Sequence, residues 1–303
     1  MKVFVTGASG FIGSALVRAL AANSHVVTAT SRSPRPESYP DEVDWLQSDP
    51  ADLAEADITG HEAMIHLAAI SDSRGLAEHD IFRVNQKRAE DIAGLAKRAH
   101  VDKFLLFSSV KAISEKSIVH NSVPSPTSIY GKSKLAAEIS VRGLLQNSKT
   151  KLYVLRPAPV YGNPVRANFR LLNKLVDSRL PLPFGSLDAR KSYLYRENLL
   201  DFLSTVLDGE IEPGDYNLAD SRSLTLPELL DLISEAKDID SKVFSIPRGF
   251  LTLGARFLPT SYSDLLFSDS IVGENPAQMS GLWQPPFSPE EGVKQSFGNS
   301  LKP

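Results

Sequence analysis

Short apolar runs at Lys2–Thr6, Val26–Thr30, Val43–Gln47, Ala63–Leu67, Lys103–Phe107 and Leu152–Leu155 predict six β-strands. The fifth is almost wholly apolar, which marks a strand buried on both faces, as in a parallel sheet covered by helices. Between the runs the period changes. Ile12, Leu16 and Leu20 share one face of a helix over Gly13–Ala22, and two longer helices are predicted over Gly75–Ala99 and Ile129–Leu145. Strand–helix alternation over the first 155 residues implies an α/β fold, a doubly wound parallel sheet. Ser31–Pro40, with three prolines and three serines, reads as a loop.

After Gly162 the texture changes. Prolines thicken at Pro181, Pro183, Pro285, Pro286 and Pro289, and Thr225 with Pro227 marks a helix start. The expected division is a sheet domain over residues 1–162, rejoined by a segment of about 187–220, with a smaller mixed lobe over 163–303.

Composition narrows the class. The chain has 303 residues, 42% apolar and 23% charged, with a net charge of −3, the profile of an ordinary soluble globular protein. Nucleic-acid binding is not expected, because it shows as a clustered basic excess. The absence of cysteine excludes disulfides, thiolate nucleophiles and cysteine-ligated zinc, and fits the reducing cytoplasm. No other metal-ligand set stands out. The apolar N-terminus is broken by glycine too early for a signal peptide. No run reaches the ~20 apolar residues of a membrane span; Phe250–Leu258 is short, carries Arg256 and reads as a core or surface helix.

In such sheets ligands lie at the carboxyl ends of the strands. The segments there are Gly7–Gly13, Ser31–Ser33, Ala68–Ser73, Ser108–Val110 and Pro157–Gly162. Gly7, Gly10 and Gly13 sit between a strand and a helix. Gly7 permits the sharp turn, Gly10 lets the backbone approach a pyrophosphate, and Gly13 lets the helix pack near the strand. The helix N-terminus then offers free N–H groups to phosphate. The spacing is wider than G-x-G-x-x-G. The second strand ends Ala29-Thr30-Ser31-Arg32, with no acid for an adenine ribose hydroxyl. Ser31 can donate a hydrogen bond and Arg32 can pair with a 2′-phosphate, which favours NADP over NAD. Asp49 reads either as an adenine ligand or as the cap of the turn that follows it.

Tyr130 and Lys134 stand one helical turn apart on one face. A nearby ammonium lowers a phenol's pKa, fitting Tyr130 to exchange a proton with a sugar hydroxyl or ketone. Ser109 closes the fifth strand at the same sheet edge and can bond the same substrate oxygen. Asn85, mid-helix, reads either as an anchor for a water or carbonyl or as a plain surface residue.

Together TGASGFIG (Thr6–Gly13), HLAA (His66–Ala69), FSS (Phe107–Ser109), YGKSK (Tyr130–Lys134) and LRPAPVYG (Leu155–Gly162) resemble the extended short-chain dehydrogenase/reductases of the nucleotide-sugar epimerase/dehydratase branch. VRANF (Val165–Phe169), LPFGS (Leu182–Ser186) and WQPPFSPEEGV (Trp283–Val293) extend the resemblance over nearly the whole chain, toward UDP-sugar 4-epimerases and 4-ketoreductases of surface-polysaccharide synthesis. The resemblance implies a catalytic set of Ser109, Tyr130 and Lys134, with Lys134 also on the nicotinamide ribose. It implies cofactor contacts at Gly7, Ser9, Gly10, Phe11, Ile12, Gly13, Ser31, Arg32, Asp49, Leu67, Ala68, Ala69, Asn85 and Pro157. On the substrate side it implies Ser109 and Lys111, Asn168 at the diphosphate, Pro183, Phe184 and Gly185 at the uracil, and Arg190 or Lys191 as cations for the diphosphate. Family 4,6-dehydratases carry an Asp-Glu pair where Val110-Lys111 stands here, so dehydration lacks its acid and base. The implied activity is a 4-ketoreductase using NADP; a 4-epimerase holding NAD tightly and a non-catalytic NADP-sensing protein are the alternatives. A homodimer through a four-helix bundle of the two long helices is also implied.

Overall fold

The computed structural model describes residues 1–72, 74–119, 121–255 and 266–298. The N-terminal half runs β1 (Lys2–Thr6), α1 (Phe11–Ala22), β2 (Val26–Ser31), β3 (Asp44–Gln47), α2 (Glu55–Ile58), β4 (Ala63–His66), α3 (Glu78–Phe82), α4 (Arg88–Arg98), β5 (Lys103–Phe107), α5 (Ile129–Leu145) and β6 (Lys151–Pro157). There follow β7 (Val160–Tyr161), α6 (Ala167–Asp177), β8 (Arg190–Lys191), β9 (Leu194–Tyr195), α7 (Arg196–Asp208), β10 (Gly214–Leu218), β11 (Leu224–Thr225), α8 (Leu226–Lys237), α9 (Arg248–Ala255), α10 (Pro276–Met279) and α11 (Pro289–Phe297). Residues 256–258 of the Phe250–Leu258 stretch, and Ser73, lie outside the described residues. Among the described residues no helix is long and apolar enough to cross a membrane.

Seven strands form one parallel sheet in the order β10-β6-β5-β4-β1-β2-β3. This is the doubly wound sheet expected. The chain builds β1, β2 and β3 outward, then returns to lay β4 on the other side of β1, so the direction of winding reverses between β1 and β4. Loops leave that point in opposite directions and open a crevice. The strand period of two splits the core into two layers. Val3, Val5, Ile65 and Leu105 face α1 and α7 with Leu16, Phe202 and Leu203. Phe4, Met64, Phe104 and Leu106 face α4 and α5 with Ile92, Ala96, Ala137 and Val141. All of these are at most 1% exposed, and each large one contributes roughly 1.5–3 kcal/mol by burial.

The helix predicted from Gly75 begins at Glu78, because Gly75 turns the backbone at φ +74°. It also widens into a π-turn at Arg83–Lys87 between α3 and α4. The C-terminal lobe has its own core around Tyr161, Phe169, Leu182, Leu229, Ile233 and Val293. Thr225 caps α8 in a capping box with Glu228, and Ser288 caps α11 with Glu291. Buried Asp220 ties this lobe to the sheet, accepting from the Tyr161 hydroxyl (2.9 Å), the Tyr195 N–H (2.8 Å) and Asn198 Nδ2 (2.7 Å). Burial lifts its carboxyl to about 6 in spite of these donors.

Candidate active site

At the carboxyl end of β1 the chain turns through Gly7 at φ +73°. A Cβ there would lie 2.8 Å from the Ala68 nitrogen, so only glycine lets the turn meet Leu67–Ala69 beyond β4. A Cβ at Gly13 would lie 2.3 Å from the Gly7 carbonyl oxygen. Gly10 heads α1 without a side-chain cap, which leaves the first N–H groups of the helix to an anion. This cradle, into which a Cβ would intrude, fits a dinucleotide pyrophosphate. In Gly13→Ala the turn must shift; the expected cost is about 1–3 kcal/mol in stability. Dinucleotide affinity, read by calorimetry, should fall at least about tenfold; an unchanged affinity would refute the cradle.

Ser31 closes β2, and its hydroxyl lies 2.7 Å from that of Ser9 and accepts from the Ser33 N–H at 3.2 Å. Arg32 is exposed and makes no ion pair among the described residues. Tyr39, from the loop after β2, reaches under the glycine turn and donates to the Ala8 carbonyl at 2.7 Å. Asp49 acts as a cap, accepting from Ala51 N–H at 2.9 Å, and pairs with Arg88 at 3.2 Å. Asn85 is 1% exposed and is no surface residue. From the π-turn its amide accepts from Ile70 N–H (2.7 Å) and donates to the Ile70 carbonyl (3.0 Å) and to Ser133 Oγ (3.0 Å). It therefore anchors a carbonyl, as one sequence reading had it, and holds the loop after β4. Pro157 is buried at the end of β6.

Ser109 and Tyr130 come together at this edge, and Lys134 follows Tyr130 by one helical turn in α5. Ser109 Oγ accepts from the Lys111 N–H at 3.2 Å, and the Ser109 side chain stands close enough to the Tyr130 phenol to lower it. Burial pushes Tyr130 above its ordinary value and Ser109 draws it back only in part. The expected lowering by Lys134 is not realised. Lys134 is itself buried, and desolvation takes it down to about 8, opposed by Glu138. A phenol that stays protonated beside a weakened ammonium is arranged as a proton donor.

The two cations expected at the substrate are already engaged. The Arg190 guanidinium donates to the Ser223 carbonyl (2.8 Å) and pairs with Glu228 (3.2 Å), and Lys191 Nζ donates to the Ser268 carbonyl. Carbonyls and an acid distant in sequence hold both. Asn168 is exposed in the first turn of α6, and Lys111 is exposed beside Ser109. Pro183, Phe184 and Gly185 are half-buried. Gly185 N–H donates to the Phe244 carbonyl at 3.0 Å, and a Cβ there would come within 2.8 Å of Ser245 Oγ.

Sequence reasoning missed two groups. Arg166, just before α6, and Arg196, at the start of α7, lie 5.7 and 5.1 Å from the centre of the Phe11 ring at the head of α1. One turn on from Lys134, Glu138 takes a hydrogen bond from Ser108 and a bidentate pair from Arg156 (2.6 Å), which also reaches Asp215 (2.6 Å). Glu138 was within reach, since it repeats the four-residue step from Tyr130 to Lys134. The arginines had no local signal.

A model of the NAD dependent epimerase/dehydratase family matches residues 3–219. A UDP-glucose 4-epimerase of Vibrio cholerae is 27% identical over 97% of this chain and 94% of that protein. A ceramide reductase of Caulobacter vibrioides is 29% identical over 98% of this chain and 90% of that protein. Among solved structures, a UDP-glucuronic acid 4-epimerase of Bacillus cereus in complex with NAD superposes with a TM-score of 0.78 at 20% identity, covering 98% of this chain and 97% of that one.

Proposed function

The chain belongs to the NAD dependent epimerase/dehydratase family, and from that premise we propose that it reduces the C4 ketone of a UDP-linked sugar, with NADP as its cofactor. The observation that carries the reading is Ser109 set against a half-buried Tyr130, whose phenol desolvation holds in its protonated form, at the sheet edge that also bears the glycine cradle. When bound, the dinucleotide supplies the hydride. Tyr130 gives its proton to the oxygen on C4 of the sugar, and Ser109 polarises that oxygen. Lys134, largely protonated near neutral pH, stabilises the phenolate left behind. Ser31 and exposed Arg32 receive the adenosine 2′-phosphate. Asn168 and Pro183–Gly185 receive the substrate's nucleotide end. A homodimer through α5 and the helix of residues 78–98 fits the bare apolar face of α5, where Ile139 is 64% exposed.

The name of the Vibrio relative favours a second reading, a 4-epimerase with retained NAD. The purified protein separates them. A reductase is expected to arrive without a reduced-nicotinamide absorbance band, and to oxidise one NADPH per UDP-4-keto-sugar with NADH used less well. It should not interconvert UDP-glucose and UDP-galactose unaided. Inversion at C4 by protein carrying its own nucleotide would overturn the reductase reading.

A further inference from the structure

Ser109 and Tyr130 lie on different elements, joined by a loop of twenty residues. One carboxylate closes that loop. From Ser109 the chain makes a 3-10 turn, Val110–Ala112, and reaches Glu115. Glu115 Oε2 accepts from the Thr127 N–H and hydroxyl, both at 2.9 Å, while Oε1 accepts from the Ser128 N–H (3.0 Å) and hydroxyl (2.5 Å). Ser128 caps α5, accepting from Gly131 N–H at 3.1 Å. Backbone meets backbone here: a Cβ on Gly131 would lie 2.3 Å from the Lys111 carbonyl oxygen and 3.1 Å from Glu115 Oε1. Four donors on one carboxylate thus fix the segment after Ser109 against the helix turn that carries Tyr130. Burial alone would raise the Glu115 carboxyl; the Ser128 and Thr127 donors outweigh it and hold it below the usual range, so it is charged at neutral pH.

We infer that Glu115 is a positioning residue that sets where Ser109 stands against Tyr130. The inference rests on the catalytic reading of Tyr130 for its kinetic consequence but not for its geometric one. The titratable groups on the elements that meet here are Lys134, one turn on from Tyr130 in α5, Lys111 and Glu115 on the segment after Ser109, and, at the end of β4, His66, which senses Lys134 and Arg88 and is buried neutral.

In Glu115→Gln the amide NH₂ faces one N–H and one hydroxyl, so the N–H bond is lost and the hydroxyl must turn to accept. The phenol titration of Tyr130 is read as the ultraviolet difference between each protein and its Tyr130→Phe derivative. Its midpoint is expected to move up, because the Ser109 side chain that lowers it stands less close. With substrate, kcat should fall roughly tenfold to a hundredfold with KM and dinucleotide affinity held, and Glu115→Asp should recover part of it. A lowered Tm with unchanged midpoint would make Glu115 a mere loop brace and overturn the inference. Should Glu115→Gln fail to fold, Thr127→Val, which removes one hydroxyl donor, must shift the midpoint the same way by less; no shift overturns it. A fully active Tyr130→Phe would instead sink the catalytic reading and leave the midpoint measurement to decide on Glu115.

Discussion

Tyr130→Phe is expected to lower kcat by about 10²–10⁴-fold, the range of a lost general acid. The phenyl ring fills the same space, so packing is kept; what goes is the proton that Tyr130 is proposed to give to the substrate oxygen. The loss should appear equally in kcat and kcat/KM, because the interaction is made in the transition state. Dinucleotide binding should persist, since the cradle of Gly7, Gly10 and Gly13 lies on other elements. Steady-state kinetics beside a calorimetric titration check both halves, and turnover at the parental rate would remove Tyr130 from the chemistry.

Arg156→Gln should give the largest loss of stability. The Arg156 side chain is 10% exposed and its partner Glu138 only 3%. Removing the guanidinium strands a carboxylate that has no water to turn to, a change that costs about 3–5 kcal/mol. At about 2.1 cal/mol/K of unfolding entropy per residue, 303 residues give roughly 1.6 °C per kcal/mol, so thermal unfolding should fall by about 5–8 °C. A double variant, Arg156→Met with Glu138→Leu, should recover much of it, since the penalty belongs to the unpaired charge and not to the missing pair. A single variant as stable as the parent would show that water reaches Glu138.

The sheet and the glycine turn were legible because their signals are local. Apolar runs of strand length, a positive-φ glycine and Thr225 ahead of Pro227 each report on a few neighbouring residues. What failed was whatever depends on distant partners. The π-turn at Arg83–Lys87 accompanies the bonds of Asn85 to Ile70 and Ser133, fifteen and forty-eight residues away. Arg190 and Lys191 looked free until Glu228 and Ser268 folded against them. The shift of Tyr130 was given the wrong sign because spacing reveals the nearby lysine but not the burial that outweighs it. Glu115 belongs to no motif, and its partners lie twelve and thirteen residues on.

The place of β10 bears on how this chain can be cut. β6 is followed by an excursion into the C-terminal lobe, and only then do α7 and β10 return to pair with it, Gly214 to Leu218 beside Tyr153 to Pro157. A fragment ending at Gly162 would leave β6 as a bare edge, with Tyr153 and Leu155 stripped of Phe202 and Leu203. An open edge beside an uncovered apolar face invites pairing between chains. The nucleotide half is thus no transplantable module: a chimaera must carry residues through Leu218, and the C-terminal lobe inherits its attachment from within the sheet.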